Sequence, residues 1–193
     1  MNTPLVEFVG AGPGAEDLIT VRGLRALEQA DLVVYAGSLV NPAHLKACKA
    51  DCTCLDSASM NLGEQIEAMS DAALAEKRVV RLHTGDPCLY GAIQEQMDAL
   101  DARGVDYEVV PGVSSFCGAA AALRQEYTLP GISQSVVITR LSGRTPMPAG
   151  EGMRTMAESG STMVIFLSSG MLAELSAELL AAGRSSCLLY TSD

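Results

Sequence analysis

A recurring pairing constrains this chain more than anything else in it: an apolar, strand-length run with a glycine-rich turn directly behind it. Val79-Val80-Arg81-Leu82-His83 runs into Thr84-Gly85-Asp86-Pro87-Cys88-Leu89-Tyr90-Gly91. Leu5-Val6-Glu7-Phe8-Val9 runs into Gly10-Ala11-Gly12-Pro13-Gly14-Ala15-Glu16-Asp17, and Val109-Val110 into Pro111-Gly112-Val113-Ser114-Ser115. Glycine lets backbone approach a ligand closely, and the carboxyl ends of parallel strands are where open α/β sheets bind small molecules. Asp86 adds a carboxylate at such an end. Taken alone, that stretch reads equally as an Asp-Pro turn that starts the next helix.

Between these turns, residues 5–110 alternate in pattern. The spacing predicts a helix over 17–29, a strand over 32–35, a helix over 42–47 and a short strand over 52–55. Asn61 caps a helix that carries Leu62, Ile66, Met69, Ala73 and Leu74 on one face. Strand 79–83, helix 92–102 and strand 106–110 follow, which predicts the α/β class with a mostly parallel, helix-covered sheet. A junction falls before the small-residue helix 116–123. After Tyr127-Thr128-Leu129-Pro130-Gly131 a second alternation begins, with strands at 135–139 and 162–167 and a helix at 171–182. Two α/β domains are expected, 1–113 and 114–193, the second of them incomplete.

The first turn formally satisfies a dinucleotide fingerprint through Gly10, Gly12 and Ala15. That fingerprint also needs an acid at the end of the second strand. Asp31 stands before Leu32-Val33-Val34-Tyr35, the strand ends in Ala36-Gly37-Ser38, and Glu16 and Asp17 place negative charge where a phosphate would sit. A net charge of -10 argues against general nucleic-acid binding. With 48% hydrophobic residues the chain can bury a sizeable core. No secretory leader and no apolar run of ~20 residues is visible, so the expectation is a cytoplasmic protein with no membrane span. His44, Cys48, Cys52 and Cys54 cluster in sequence but lack paired C-x-x-C spacing. No metal site is expected, and Cys52 and Cys54 are assigned to the third strand.

The order Gly-x-Gly-Pro-Gly-x-x-Asp-Leu-Ile-Thr, then Thr-Gly-Asp-Pro-x-x-Tyr-Gly, then Pro-Gly-Val-Ser-Ser resembles the tetrapyrrole methylase superfamily, class III methyltransferases that use S-adenosylmethionine. Within it, Tyr35-Ala36-Gly37-Ser38-Leu39-Val40 and Thr139-Arg140-Leu141-Ser142-Gly143-Arg144-Thr145-Pro146 are similar to the C-11 methyltransferases of precorrin-4 and cobalt-precorrin-4 in cobalamin synthesis. The resemblance covers residues 4 to about 183. It implies cofactor and substrate in a cleft between the two domains, a tetrapyrrole partner and a homodimer.

Position by position, the resemblance implies cofactor contacts at Pro13, Thr84, Gly85, Asp86, Leu89, Ser114, Ser115 and Leu167. For Leu167 an ordinary core leucine is an equal reading. On the substrate side it implies Arg140 and Arg144, whose forks suit a carboxylate-rich precorrin. Tyr90 and Ser38 stand beside them, with Arg22 and Arg124 as weaker candidates. Related enzymes acting on uroporphyrinogen III carry a proposed aspartate base near the end of the second strand; Ala36 stands there here, so no general base is assigned. The tail Arg184 to Asp193 does not resemble the family's continuation, so the expectation is a truncated chain with a non-native end. Two other readings stay open. One is a class III enzyme acting on another precorrin carbon or on a macromolecule, as diphthine synthase does. The other is a nucleoside-binding fragment without activity.

Overall fold

The computed structural model describes residues 6–143 and 145–185. In chain order the elements are β1 (Val6–Gly10), α1 (Val21–Gln29), β2 (Leu32–Tyr35), β3 (Thr53–Asp56), α2 (Leu62–Leu74), β4 (Val79–His83), α3 (Gln94–Asp101) and β5 (Tyr107–Val110). After them come α4 (Ser115–Leu123), β6 (Val136–Arg140), α5 (Met153–Glu158), β7 (Thr162–Phe166) and α6 (Leu172–Ala181). The chain divides into two compact units after Gly118, inside α4.

The first unit is built on a five-stranded sheet of order β3-β2-β4-β1-β5, every pairing parallel. Side chains alternate across it and make two cores. Val6, Phe8, Leu32, Val34 and Val79 meet Ile66, Met69 and Ala73 of α2 and Leu100 of α3 on one face. On the other, Val9, Val33, Val80, Leu82 and Val110 meet Ala26 and Leu27 of α1. A sheet covered on both faces accounts for the near-continuous apolar runs of its strands. The crossover from β1 leads to β2 on one side, and that from β4 leads to β5 on the other. The helices that follow the adjacent strands β1 and β4 therefore lie on opposite faces of the sheet, which makes the ligand-binding switch point of a doubly wound sheet.

The second unit holds a parallel pair, β6 with β7, and a smaller core of Leu141, Met153 and Leu175. Its helix α5 is absent from the pattern reading: Gly150 and Gly152 hide a turn whose Met153, Met156 and Ala157 sit at helical spacing. Two helix starts also move. The helix expected from residue 17 is a 3-10 turn at Glu16–Leu18 and then α1, because the Thr20 hydroxyl accepts from Gly23 N at 3.1 Å and caps a new start. The helix expected from residue 92 begins at Gln94, since Ala92 is left-handed at φ 50°. Pro42–Ala47 is a 3-10 helix. Asn61 caps α2 as read, with a full capping box to Glu64.

At the start of the sheet Glu7 and Glu108 face each other in register. Burial first, then the neighbouring Glu108 carboxyl, raises Glu7 from 4.5 to about 7. A raised acid holds its proton in the folded state after the unfolded chain has lost it. Its stabilisation is thus present below about 4.5 and lost as pH rises through about 7. Glu7→Gln should therefore gain stability relative to wild type between pH 4.5 and 7 and level off above, read by urea unfolding across that range; a pH-independent difference would refute the shared proton.

Candidate functional site

Three glycines touch where the central strands end. A Cβ on Gly112 would lie 2.1 Å from Gly85 O and 2.7 Å from Gly10 Cα, and one on Gly10 would lie 2.5 Å from Gly85 O. These distances admit no side chain, so the turns behind β1, β4 and β5 meet backbone to backbone. Gly12 and Gly85 exchange N–H···O bonds of 3.2 and 2.8 Å, and Ala11 N donates to His83 O at 2.7 Å. Asp86 locks the arrangement: Oδ1 accepts from Cys88 N at 2.8 Å and Oδ2 from Gly112 N at 3.0 Å. Each carboxylate oxygen keeps a lone pair for a ligand.

The expected cofactor residues of the first unit gather around this ridge. Pro13 lies on α4, where a Cβ on Gly118 would meet its ring at 2.7 Å. Gly85 is left-handed at φ 60° and borders Ser114 and Ser115 at the start of α4. Ser114 is buried and its carbonyl accepts from Cys117 N and Gly118 N, while Ser115 is exposed. Thr84, Leu89 and Tyr90 line a neighbouring cavity of about 340 Å³ together with Ala36 and Leu39 behind β2. Ser38 is exposed in that same turn but is not among its walls.

Other expected residues stand elsewhere. Arg140 ends β6, and its guanidinium donates to the carbonyls of Leu141, Thr145 and Pro146, so it fastens its own loop. Arg144 lies outside the described residues, as does most of the tail after Arg184. Leu167 follows β7, 73% exposed and left-handed at φ 54°, so it is not a core leucine. Arg124 is likewise left-handed, just past α4. Arg22 of α1 lies near enough to Glu7 of the sheet for its charge to offset a small part of that carboxyl's raised pKa.

Two further findings concern residues that the sequence reading set aside or missed. The sulfurs of Cys48, Cys52 and Cys54, which cluster in sequence without paired C-x-x-C spacing, lie within 4.8 Å of one another, brought together by the turn before β3. Burial and the adjacent thiols push Cys52 up to about 12. Arg81 and His83 were read as part of an apolar run, yet both are buried in β4 at alternate positions and both line the cavity. Two basic residues on one face of a fully buried strand were the signal available in the sequence.

The fit of a nucleoside methyl donor to these residues rests on the ridge itself. Its side-chain-free backbone and the spare lone pairs of Asp86 suit a ribose hydroxyl or an amino group. Substitutions at the glycines and at Asp86 separate scaffold from contact. Gly112→Ala should cost about 3 kcal/mol or more through a backbone clash, whereas Gly104→Ala, with open space but φ 66°, should cost about 1 kcal/mol. Equal costs in urea titrations would discount the ridge. Asp86→Ala should lose about 2–4 kcal/mol of stability, two charge-assisted bonds, and Asp86→Asn about half of that. Loss of S-adenosylhomocysteine binding in the folded Asp86→Asn protein would then report a ligand contact, and full retention would assign Asp86 to the scaffold alone.

The family model described as Tetrapyrrole (Corrin/Porphyrin) Methylases matches residues 6–190. A cobalt-precorrin-4 C(11)-methyltransferase of Methanocaldococcus jannaschii is 50% identical over 182 residues, 94% of this chain and 70% of that protein. A precorrin-4 C(11)-methyltransferase of Rhodococcus erythropolis is 44% identical over 91% of this chain and 71% of its own length. Among solved structures, a cobalamin biosynthetic enzyme, cobalt precorrin-4 methyltransferase, superposes with a TM-score of 0.90 at 46% identity, covering 93% of this chain and 75% of that one. A uroporphyrin-III C-methyl transferase from Thermus thermophilus, complexed with S-adenosyl homocysteine, superposes at 0.70 with 27% identity, covering 93% and 73%.

Proposed function

This chain belongs to the tetrapyrrole methylase family, and from that premise we propose that it transfers a methyl group from S-adenosylmethionine to C-11 of precorrin-4 or cobalt-precorrin-4. One observation carries the reading: proteins named for that reaction share close to half of its residues over more than nine-tenths of its length.

The donor supplies a methyl group already activated on a sulfonium. A ring carbon of the tetrapyrrole contributes the electron pair of the new C–C bond, and the C–S bond breaks toward a neutral thioether. Such an in-line displacement depends on alignment more than on acid or base help. The chain's residues supply alignment in kind. The Gly10, Gly85 and Gly112 contact fixes three turns against each other, and the Asp86 bonds to two amides keep the β4 turn in place. Pro13 on α4 holds the first turn. Thr84, Gly85, Asp86, Leu89, Ser114, Ser115 and Pro13 form the proposed donor surface in the first unit, with Leu167 added from the second. Tyr90 and Ser38 are the proposed substrate residues of the first unit. Arg140 and Arg144 complete the proposal on the second. No step calls on a metal.

The same reading includes the cytoplasm as compartment, as expected from the sequence, and a homodimer as the assembled form, as the resemblance implies. Among the described residues no helix is long and apolar enough to cross a membrane. Incubation with S-adenosylmethionine and precorrin-4, then in parallel with cobalt-precorrin-4, should yield a product heavier by one methyl group at C-11 in at least one of the two. A folded protein that binds S-adenosylhomocysteine but leaves both substrates unchanged would overturn the assignment.

A further inference from the structure

Strand β4 occupies the middle of the sheet and all five of its residues are buried. Its Val80 and Leu82 face α1; Val79, and with it Arg81 and His83, face α2 and α3. Apolar side chains are expected on both faces of such a strand. Here two bases replace them, each only 6% exposed.

Neither base has the partner its chemistry requires. Arg81 Nε donates to Gln96 Oε1 at 3.1 Å and Nη1 to Val34 O at 3.2 Å, both neutral acceptors. Among the described residues it makes no salt bridge to a carboxylate. His83 lies tilted near Phe8, ring centroids 6.1 Å apart, and its Nε2 has no hydrogen-bond partner. Burial, and then the Arg81 charge, hold the imidazole neutral by lowering it from 6.5 to about 3. A buried cation without a counter-ion and a buried ring nitrogen without an acceptor are each unfavourable, and native structures retain such groups where something else answers them.

Both side chains line the cavity of about 340 Å³ at the switch-point end of the sheet, a volume within the range of ligand pockets. Its other walls include Leu62 and Gln65 of α2 and the 89–92 segment. One acid borders it, Glu95, which is exposed. In the 89–92 segment Tyr90 and Ala92 hold φ of 56° and 50°, a strained conformation for residues with side chains.

We infer that this cavity receives a carboxylate side arm of the tetrapyrrole, with His83 Nε2–H donating to the carboxylate and the Arg81 guanidinium supplying its counter-charge. The inference rests on the methyltransferase reading above and gives it a specific substrate subsite. Chemistry selects the ligand: an N–H donor beside an uncompensated cation answers an anion, and precorrins carry many carboxylates. The 89–92 segment shares the cavity wall with His83, and on this inference it shifts to admit the arm to Nε2.

The test compares His83→Leu and His83→Gln, the second of which retains an N–H donor. KM for precorrin-4 should rise at least tenfold in His83→Leu, with kcat within a few-fold of wild type and S-adenosylhomocysteine affinity, measured by calorimetry, unchanged. His83→Gln should restore most of the KM. In ¹⁵N-histidine-labelled wild type, which has only His44 and His83 to resolve, binding of precorrin-4 should shift the His83 Nε2 signal toward a hydrogen-bonded form. That arm holds even where His83→Leu fails to fold. A wild-type KM in folded His83→Leu, equal damage to KM and S-adenosylhomocysteine binding in both variants, or an unmoved Nε2 signal at saturating substrate would each overturn the subsite while the reaction stands. A wild-type protein that leaves precorrin-4 unmethylated would overturn the reaction and the subsite together.

Discussion

The fold depends on a contact that contains no side chains. Gly10, Gly85 and Gly112 close to within distances that exclude even a methyl group, and they do so at the ends of three neighbouring parallel strands. Strand pairing brings the ends into line but leaves the turns free to splay. The glycine contact, the Gly12–Gly85 bridge and the two amide bonds to Asp86 remove that freedom. What results is a flat piece of backbone with donors and acceptors at fixed places, the sort of surface on which a small ligand is oriented rather than merely held.

Around that ridge, polarity is distributed against the ordinary logic of a buried sheet. The face toward α1 carries the paired acids Glu7 and Glu108 at one end and is apolar at Val9, Val80 and Leu82, whereas the face toward α2 and α3 gives way to Arg81 and His83 as β4 approaches its end. The Arg81 bonds to Gln96 and Val34 tie α3 and β2 to the central strand, so the guanidinium has a structural share whatever else it does. Placing bases where apolar residues pack best concedes stability near a cavity, a pattern expected where a site takes precedence over the core.

Strand positions were legible in the sequence because burial on both faces writes itself as uninterrupted apolar runs. Helix starts were less so: the break at Thr20 depends on a hydroxyl reaching Gly23, and that at Gln94 on a left-handed Ala92, neither of which alters hydrophobic spacing. The glycine turns announced the ridge, but not that Asp86 would reach across 26 residues to the amide of Gly112. Arg140, expected as a substrate fork, also grips its own loop through nearby carbonyls, a second task that its spacing did not announce. Arg81 and His83 escaped notice because a strand-length run was read by its valines and leucines. Alternation, applied to the two bases themselves, would have placed them together on one wall.

The strand order has a consequence for how the protein comes into being. β1 is made first yet lies between β4 and β5, whose residues begin at Val79 and Tyr107. During synthesis β2 and β3 can pair early, but β1 waits with both edges open for chain not yet made. Parallel pairing at such separation is slow and leaves unpaired edges exposed meanwhile. Closure therefore comes late, at the moment when Gly112 meets Gly10 and Gly85. The contact that orients the finished site is then also a final checkpoint on assembly: a chain misregistered by one residue anywhere in the central strands would present a Cβ where none can fit.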